Sequence, residues 1–323
     1  EQIIKSMLFL IIPLFAISCD GNGLMEYEET ALVQGDVQQG LLNDGTSDNT
    51  CMVNLNLFTK PYFDYQYNTV YDYAKLAKVD VLIIAYGSLC IFQKNEDKQA
   101  FLDKFAGIPY VLLEDATDDP RGIYVMVDNF GGMQKCVEHL IIEHHLKHLV
   151  YLGGPEDNQD AIERKAAFLN VMAEHHLPVT PEMMAVGDYS EFVDNLVEQL
   201  LKDNPDAEAI ISANDEMTVA CYRVCKAHGL RIGKDILITG FDDVERARYS
   251  NPPLTTASQD AYKMGQIAVE KAVDICAGRP VESVRLDAEL IIRESCGCKV
   301  TRRAKEKADE KTELLHIIDE LRP

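Results

Sequence analysis

From residue 51 onward, short apolar runs alternate with segments whose apolar residues recur every three or four positions. The runs are "CMVNLNLF" (51–58), "DVLIIAY" (80–86), "PYVLL" (109–113), "IYVMV" (123–127), "HLVYLG" (148–153), "EAIISA" (208–213) and "DILITG" (235–240). They are rich in Val and Ile and barely alternate in polarity, which is how strands covered on both faces read. Between them, Phe192, Leu196 and Leu200 repeat every four residues, and Ile162, Ala166, Leu169 and Ala173 step four, three, four. Each set predicts an apolar stripe on one helix face. Strand–helix alternation over this length implies right-handed crossovers and parallel sheets. The expected fold class is α/β, in two Rossmann-like, doubly wound lobes.

The opening stretch admits two readings. Eleven unbroken apolar residues, Met7 to Ile17, match the length of a secretory core, with Lys5 as a thin basic flank and Ala16-Ile17-Ser18-Cys19 as a loose lipoprotein box. They are too few to span a bilayer. The alternation favours a strand. Taking Met7–Ile12 as strand one, ended by Pro13 and followed by the loop "CDGNG", gives the expected helix Tyr27–Leu42 a strand to cross over from. At the other end, Ala304, Ala308, Lys311, Leu315 and Ile318 are spaced four, three, four, three, the seam of a short coiled coil.

Composition sharpens this picture. A chain of 323 residues with 47% apolar and 26% charged side chains buries real cores, and its length favours two lobes. A formal charge of -22 and the lack of a basic stripe argue against direct nucleic-acid contact by this chain. Nine cysteines, most inside apolar runs, fit a reducing, cytoplasmic setting better than a disulfide framework. Cys296 and Cys298 in "SCGCK" lack a second pair in sequence, and His139, His144, His145 and His148 lack a completing Cys or carboxylate. Neither group is expected to hold a metal, and no cofactor fingerprint is present. "GGPEDN" lacks the Gly-Lys-Ser/Thr of a phosphate loop.

From Ile108 onward the chain resembles the effector-binding domain of the lactose-repressor family, itself built like periplasmic binding proteins. The match is carried by "IPYVLL", "VDNFGGMQKCVEHLIIEHHLKHLVYLGGP", "AIERKAAFLNVM", "AIISANDEMTVA", "GKDILITGFDDVERARYSNPPLTT" and "MGQIAVEKAV", in family order. The resemblance implies an N-terminal lobe of residues 1–146 and 258–279, a C-terminal lobe of 147–257 and 280–298, and a helical linker at 299–323. It also implies a small-molecule effector, held in the cleft between lobes, and a homodimer. The ending "ESCGC" with a helical tail is similar to a subgroup whose sensor precedes a signalling output, often a GGDEF-type diguanylate cyclase. No GGDEF motif occurs in the chain, and the family's DNA-binding headpiece does not precede strand one. Since Glu1 is not a methionine, the chain reads as a piece of something longer.

Ligands in open α/β sheets bind beyond the carboxyl ends of strands. In the first lobe those positions are Asp20, the aromatic group Tyr62, Phe63, Tyr65 and Tyr67, then Tyr86 with Ser88, and Asp128, which could equally cap a helix. In the second lobe, Arg164, Asn214, Asp242 and Gln259 fall, by resemblance, where the family contacts its effector. Their side chains offer directional donors and acceptors to hydroxyls, amides or carboxylates. Asn214 and Asp215 could instead cap the following helix. No nucleophile–base pair appears, so the chain is expected not to be an enzyme. The main expectation is a metabolite- or sugar-sensing domain coupled to an output domain. The alternatives are a lactose-repressor-type transcription regulator with its headpiece trimmed, and an exported solute-binding lipoprotein. No membrane association is expected on the first two readings.

Overall fold

The computed structural model describes residues 14–20, 29–32, 35–42, 50–56, 80–89 and 95–299. Four strands come first: β1 (Leu14–Asp20), β2 (Glu29–Leu32), β3 (Gly35–Leu42) and β4 (Thr50–Asn56). After β5 (Val81–Ala85) come α1 (Tyr86–Leu89), α2 (Asn95–Asp103), β6 (Tyr110–Leu113) and β7 (Gly122–Val127). α3 (Asn129–Glu138) runs into a π-helical turn at His139–Glu143, then β8 (Leu149–Gly153), α4 (Gln159–Glu174) and β9 (Met184–Val186). Next are α5 (Asp194–Asp203), β10 (Ala209–Ser212), α6 (Asp215–Ala227), β11 (Leu237–Asp242) and α7 (Glu245–Tyr249). The order closes with β12 (Thr255–Ser258), α8 (Ala261–Cys276), β13 (Val284–Leu286), β14 (Glu289–Ile291) and a 3-10 turn at Glu294–Cys296.

The chain divides into two compact units, residues 1–128, 157–160 and 259–287, and residues 129–156, 161–258 and 288–323. The segment 129–146, expected in the first lobe, therefore sits with the second unit.

The first unit holds an eight-stranded sheet in the order β13-β7-β6-β5-β1-β4-β3-β2. Pairing is parallel across β13, β7, β6 and β5 and antiparallel from β5 through β1, β4, β3 and β2. The alternating side chains of β5 divide between two cores. Val81 and Ile83 join Val111, Val125 and the α8 residues Met264, Ala268 and Ala272. Leu82 and Ile84 join Leu112, Tyr110, Phe101, Leu102 and Phe105 on the other face. A strand covered on both sides has no polar face, which is why this run reads as unbroken apolar sequence.

One expectation fails here. Residues 29–32 and 35–42 form the strands β2 and β3, paired with Leu32 opposite Gly35, and not the expected helix over 27–42. Gly35 and Gly40 each cost a helix interior about 1 kcal/mol relative to alanine, and propensity does not resist the sheet. The expected first strand, Met7–Ile12, lies outside the described residues. The first described strand starts after Pro13 and runs antiparallel to β5, with Leu14 opposite Ile84 and Ile17 opposite Val81.

The second unit holds a six-stranded sheet in the order β14-β12-β11-β10-β8-β9, parallel except where β14 meets β12. β8, β10 and the first five residues of β11 are buried throughout. The helices lie where their spacing predicts, but of the residues in the expected stripes only Leu200 is buried. In α4, Ile162 and Leu169 are exposed, while Ala161, Arg164, Ala167, Phe168, Val171 and Met172 are buried. At α5, Phe192 before the helix and Leu196 within it are likewise exposed, and Val193 at its N-cap, Val197 and Leu200 are buried. Two apolar stripes compete on α4, and the one that wins carries an arginine, which hydrophobic periodicity alone scores against.

Candidate functional site

Parallel strands β8, β10, β11 and β12 present their carboxyl ends on one edge of the second sheet, and the polar residues of "ANDEM" and "GFDD" lie there. Asn214, just after β10, caps α6: its Oδ1 accepts the Met217 N–H at 3.0 Å, and its amide donates to the Tyr189 carbonyl at 3.1 Å. Such a cap contributes about 1 kcal/mol. The next residue, Asp215, is buried. Its Oδ1 accepts from the Thr256 hydroxyl at 2.7 Å and its Oδ2 from the Val244 N–H at 3.0 Å. Burial, and then the nearby Asp242 carboxylate, push the Asp215 carboxyl well above its ordinary range, against the pull of those two hydrogen bonds.

Each residue of "GFDD" has a separate physical task. A Cβ at Gly240 would stand 2.1 Å from Asp215 Oδ1, so only glycine admits the buried carboxylate. The Phe241 ring lies under the Arg164 guanidinium, with Cζ 3.8 Å from the ring centroid. Asp242 Oδ1 accepts from Arg164 Nη1 at 3.3 Å. Asp243 accepts from Arg293 Nη2 at 2.5 Å and from Arg248 Nη2 at 3.3 Å. Asp242 and Asp243 have positive φ, +114° and +53°, so the chain turns sharply where the strand ends.

Arg164 is the centre of this arrangement. Its Nε donates to Asn129 Oδ1 at 2.8 Å and its Nη1 to the Ala213 carbonyl at 2.6 Å, in addition to Asp242. A buried guanidinium is tolerated only when its charge and its directional donors are met in this way. Within the pair the side chains differ: Arg164 is 3% exposed and Asp242 21%. The carboxylate is the member that meets solvent, and the guanidinium fixes it from beneath.

The site residues expected from sequence fall into three groups. Arg164, Asn214 and Asp242 come together on the second unit's sheet edge. Asp128 follows β7, with its N–H donating to the Leu286 carbonyl at 2.7 Å, Gln259 follows β12, and Tyr86 opens α1 after β5. Tyr86 is buried against Phe101, its ring centroid 6.3 Å away, instead of standing in an open loop. Asp20 is placed apart from these. It is the last residue of β1, and because β1 runs antiparallel to β5 it lies toward the sheet edge opposite the one where β5 ends. Tyr62, Phe63, Tyr65 and Tyr67 lie outside the described residues.

Three contributors were not anticipated. Asn129, buried at the start of α3, orients Arg164 but reads in sequence as an ordinary helix start. Phe241 reads as a strand core residue. Tyr189, whose ring lies over Gly154 beyond β8, belongs to a segment with no periodic signal. One further grouping went unforeseen: His139 and His144 meet Cys296 and Cys298 with their ligand atoms all within 4.8 Å of one another. The expectation that neither motif would complete a metal set is revised by that placement.

Residues 137–296 match the family model described as a periplasmic binding protein-like domain. The HTH-type transcriptional regulator CelR of Thermobifida fusca is 30% identical over 216 residues, 64% of this chain and 62% of that protein. The HTH-type transcriptional repressor PurR of Aliivibrio fischeri (strain MJ11) is 29% identical over 60% of this chain and 56% of its own length. The chain thus spans less than two thirds of each of these two curated relatives. Among solved structures, a regulatory protein of the LacI family from Chloroflexus aggregans aligns with a TM-score of 0.63 at 26% identity, covering 75% of this chain and 86% of that one. A transcriptional regulator CelR–cellobiose complex aligns with a TM-score of 0.61 at 26% identity, covering 72% and 71%. Both curated relatives are named as regulators of transcription. The chain carries a periplasmic-binding-protein-like α/β fold that matches the effector-binding domain of lactose-repressor (LacI)-type regulators.

Proposed function

We propose that this chain is the effector-sensing part of a lactose-repressor-type transcription regulator, and that its effector is a hydroxyl-rich small molecule of the sugar class. The single observation that carries the reading is the Arg164–Asp242 pair: a buried guanidinium, also bonded to Asn129 and the Ala213 carbonyl, holds a partly exposed carboxylate at the carboxyl edge of a parallel sheet. A fixed carboxylate accepts from two vicinal hydroxyls at little ordering cost, which is the use of such preorganisation. Ligand contact at Tyr86, Asp128 and Gln259 remains part of the proposal. So do the homodimer, the cytoplasmic setting, and a headpiece that contacts DNA in place of this acidic chain.

Named relatives that regulate transcription favour this over the cyclase-coupled sensor to which the tail pointed. The lipoprotein reading is disfavoured by Cys19 lying inside β1, in register with Cys51. Among the described residues, no helix is long and apolar enough to cross a membrane.

The test is ligand-induced thermal stabilisation with cellobiose and a panel of mono- and disaccharides. At least one sugar should raise the unfolding midpoint of the parent chain, and Asp242→Asn should abolish that rise while keeping the far-UV spectrum. A rise that persists unchanged in both Asp242→Asn and Arg164→Lys would falsify the site. The encoded sequence upstream of Glu1 and downstream of Pro323 separates the regulator from the cyclase-coupled sensor.

A further inference from the structure

Four ligand-type side chains from distant parts of the chain converge in the second unit. His139 opens the π-helical turn and His144 follows its last residue, while Cys296 closes the 3-10 turn and Cys298 lies two residues on. His139 Nε2 stands 3.3 Å from Cys296 Sγ and 3.7 Å from Cys298 Sγ. His144 Nε2 stands 3.4 Å from Cys298 Sγ. Zinc bonds of about 2.3 Å to sulfur and about 2.0–2.1 Å to nitrogen place tetrahedral N and S ligands about 3.5–3.6 Å apart. The three separations straddle that value. A hydrogen bond between one imidazole and one thiol accounts for one such approach, but not for four ligand atoms drawn together around a common centre.

The backbone is built toward the same end. Residues five apart on an α-helix point roughly 140° away from each other. A turn bonded from i to i+5 brings them back to one side, and such turns concentrate at functional sites. The π-helical turn at His139–Glu143 does this for His139 and His144, whose ring centroids are 5.0 Å apart. On the facing segment, Gly297 has φ +84°, a left-handed conformation that turns the chain between the two cysteines. The Thr255 hydroxyl lies 3.1 Å from Cys296 Sγ, a donor of the kind that steadies a metal-bound thiolate from outside. His139 and Cys296 are buried, and His144 and Cys298 are half-buried, so a metal has both a closed inner side and a path of entry.

We propose that His139, His144, Cys296 and Cys298 form a structural zinc site. Two thiolates and two imidazoles in tetrahedral array select zinc among the common divalent metals. Four protein ligands leave no position open for substrate, so the site's role is to clip residues 294–298 to the end of α3. Metal binding of this kind contributes directly to folding stability.

Chain produced with zinc present, and purified with reductant but without chelator, should carry a single zinc by elemental analysis. Exchange with cobalt should give the visible bands of a tetrahedral ion and a near-ultraviolet thiolate charge-transfer band. Cys298→Ser and His144→Gln, at the two half-buried positions, should each lose bound zinc while keeping the far-UV spectrum. Cys298→Ser should also weaken the charge-transfer band. A strong chelator should lower the unfolding midpoint of the parent chain and leave that of Cys298→Ser unchanged. A parent chain that is metal-free and gives no cobalt bands, or cobalt bands that are unaltered in both single variants, overturns the site. The result is independent of sugar binding, because none of the four residues belongs to the Arg164 network.

Discussion

The two units share a strand–helix alternation but differ in what they bury. Among the described residues, every buried polar or charged side chain lies in the second unit: Asn129, His139, Arg164, Ser212, Asn214, Asp215, Thr218, Thr239, Thr255, Thr256 and Ser295. The described core of the first unit is apolar, with Phe101, Phe105, Tyr110 and Leu82 almost fully enclosed. Apolar burial is non-directional, so many packings satisfy it nearly equally well. A buried guanidinium or carboxylate tolerates only the arrangement that meets its hydrogen bonds. The second unit therefore carries the more exacting positional demands, and the Arg164–Asp242 pair and the four residues of the zinc proposal both fall there.

That contrast can be broken from either side. The largest effect is expected from Phe105→Ala in the first unit. The ring is fully buried and meets Phe101 edge-on at 5.3 Å, so its loss should cost about 3–5 kcal/mol in urea unfolding. Sugar-induced stabilisation and zinc content should survive in the folded fraction. If either is lost, the division of labour between the units is wrong.

A smaller change is expected from Asp215→Asn, and its signature is in the pH dependence. The folded-state pKa of Asp215 is raised above the ordinary 3.8, so the folded chain holds this proton more tightly than the unfolded one. The stabilising contribution is complete below the unfolded value and is lost as pH rises through the folded one. Replacing the carboxyl with an amide should flatten that decline. The amide keeps one acceptor oxygen and places an NH2 donor at the other of the two positions that accept from Thr256 and Val244, so about 1–3 kcal/mol should be lost at low pH. A decline identical in parent and variant would assign the titration to another group.

The smallest expected effect is that of Asn214→Ala. As a helix cap, the residue should cost about 1 kcal/mol, with sugar affinity falling only in proportion to any change in Asp242 geometry. A loss of sugar binding far larger than the loss of stability would show that Asn214 touches the effector as well as capping α6.

Much of the strand order was legible because doubly covered strands advertise themselves. Val81–Ala85, Tyr110–Leu113, Leu149–Gly153 and Ala209–Ser212 are short apolar runs with few other conformational outlets. In the antiparallel half of the first sheet, β4 was legible as the run 51–58, whereas β2 and β3 were not. Those two strands mix polar and apolar residues in spacings that fit a helix as well, and only pairing partners, such as β4 for β3, decide between them. The helix faces were half legible: α4 was found, but its buried stripe was not, because that stripe includes Arg164. The site followed the same division. "GFDD" and "ANDEM" could be picked out, whereas Asn129 could not, since its task exists only once α3 and α4 are packed together.

By itself, the sequence determined the α/β class, the second sheet's parallel strands and the acidic character of the chain, because these follow from local periodicity and from composition. Tertiary structure alone decided that Arg164 points inward, that Asp20 lies at the opposite edge of its sheet from the end of β5, and that His139 and His144 meet two cysteines more than 150 residues away. The physical reason is range. Periodicity records the interactions a residue has with neighbours on its own helix or strand. A charge network or a four-ligand cluster depends on distances between segments whose separation no local pattern encodes.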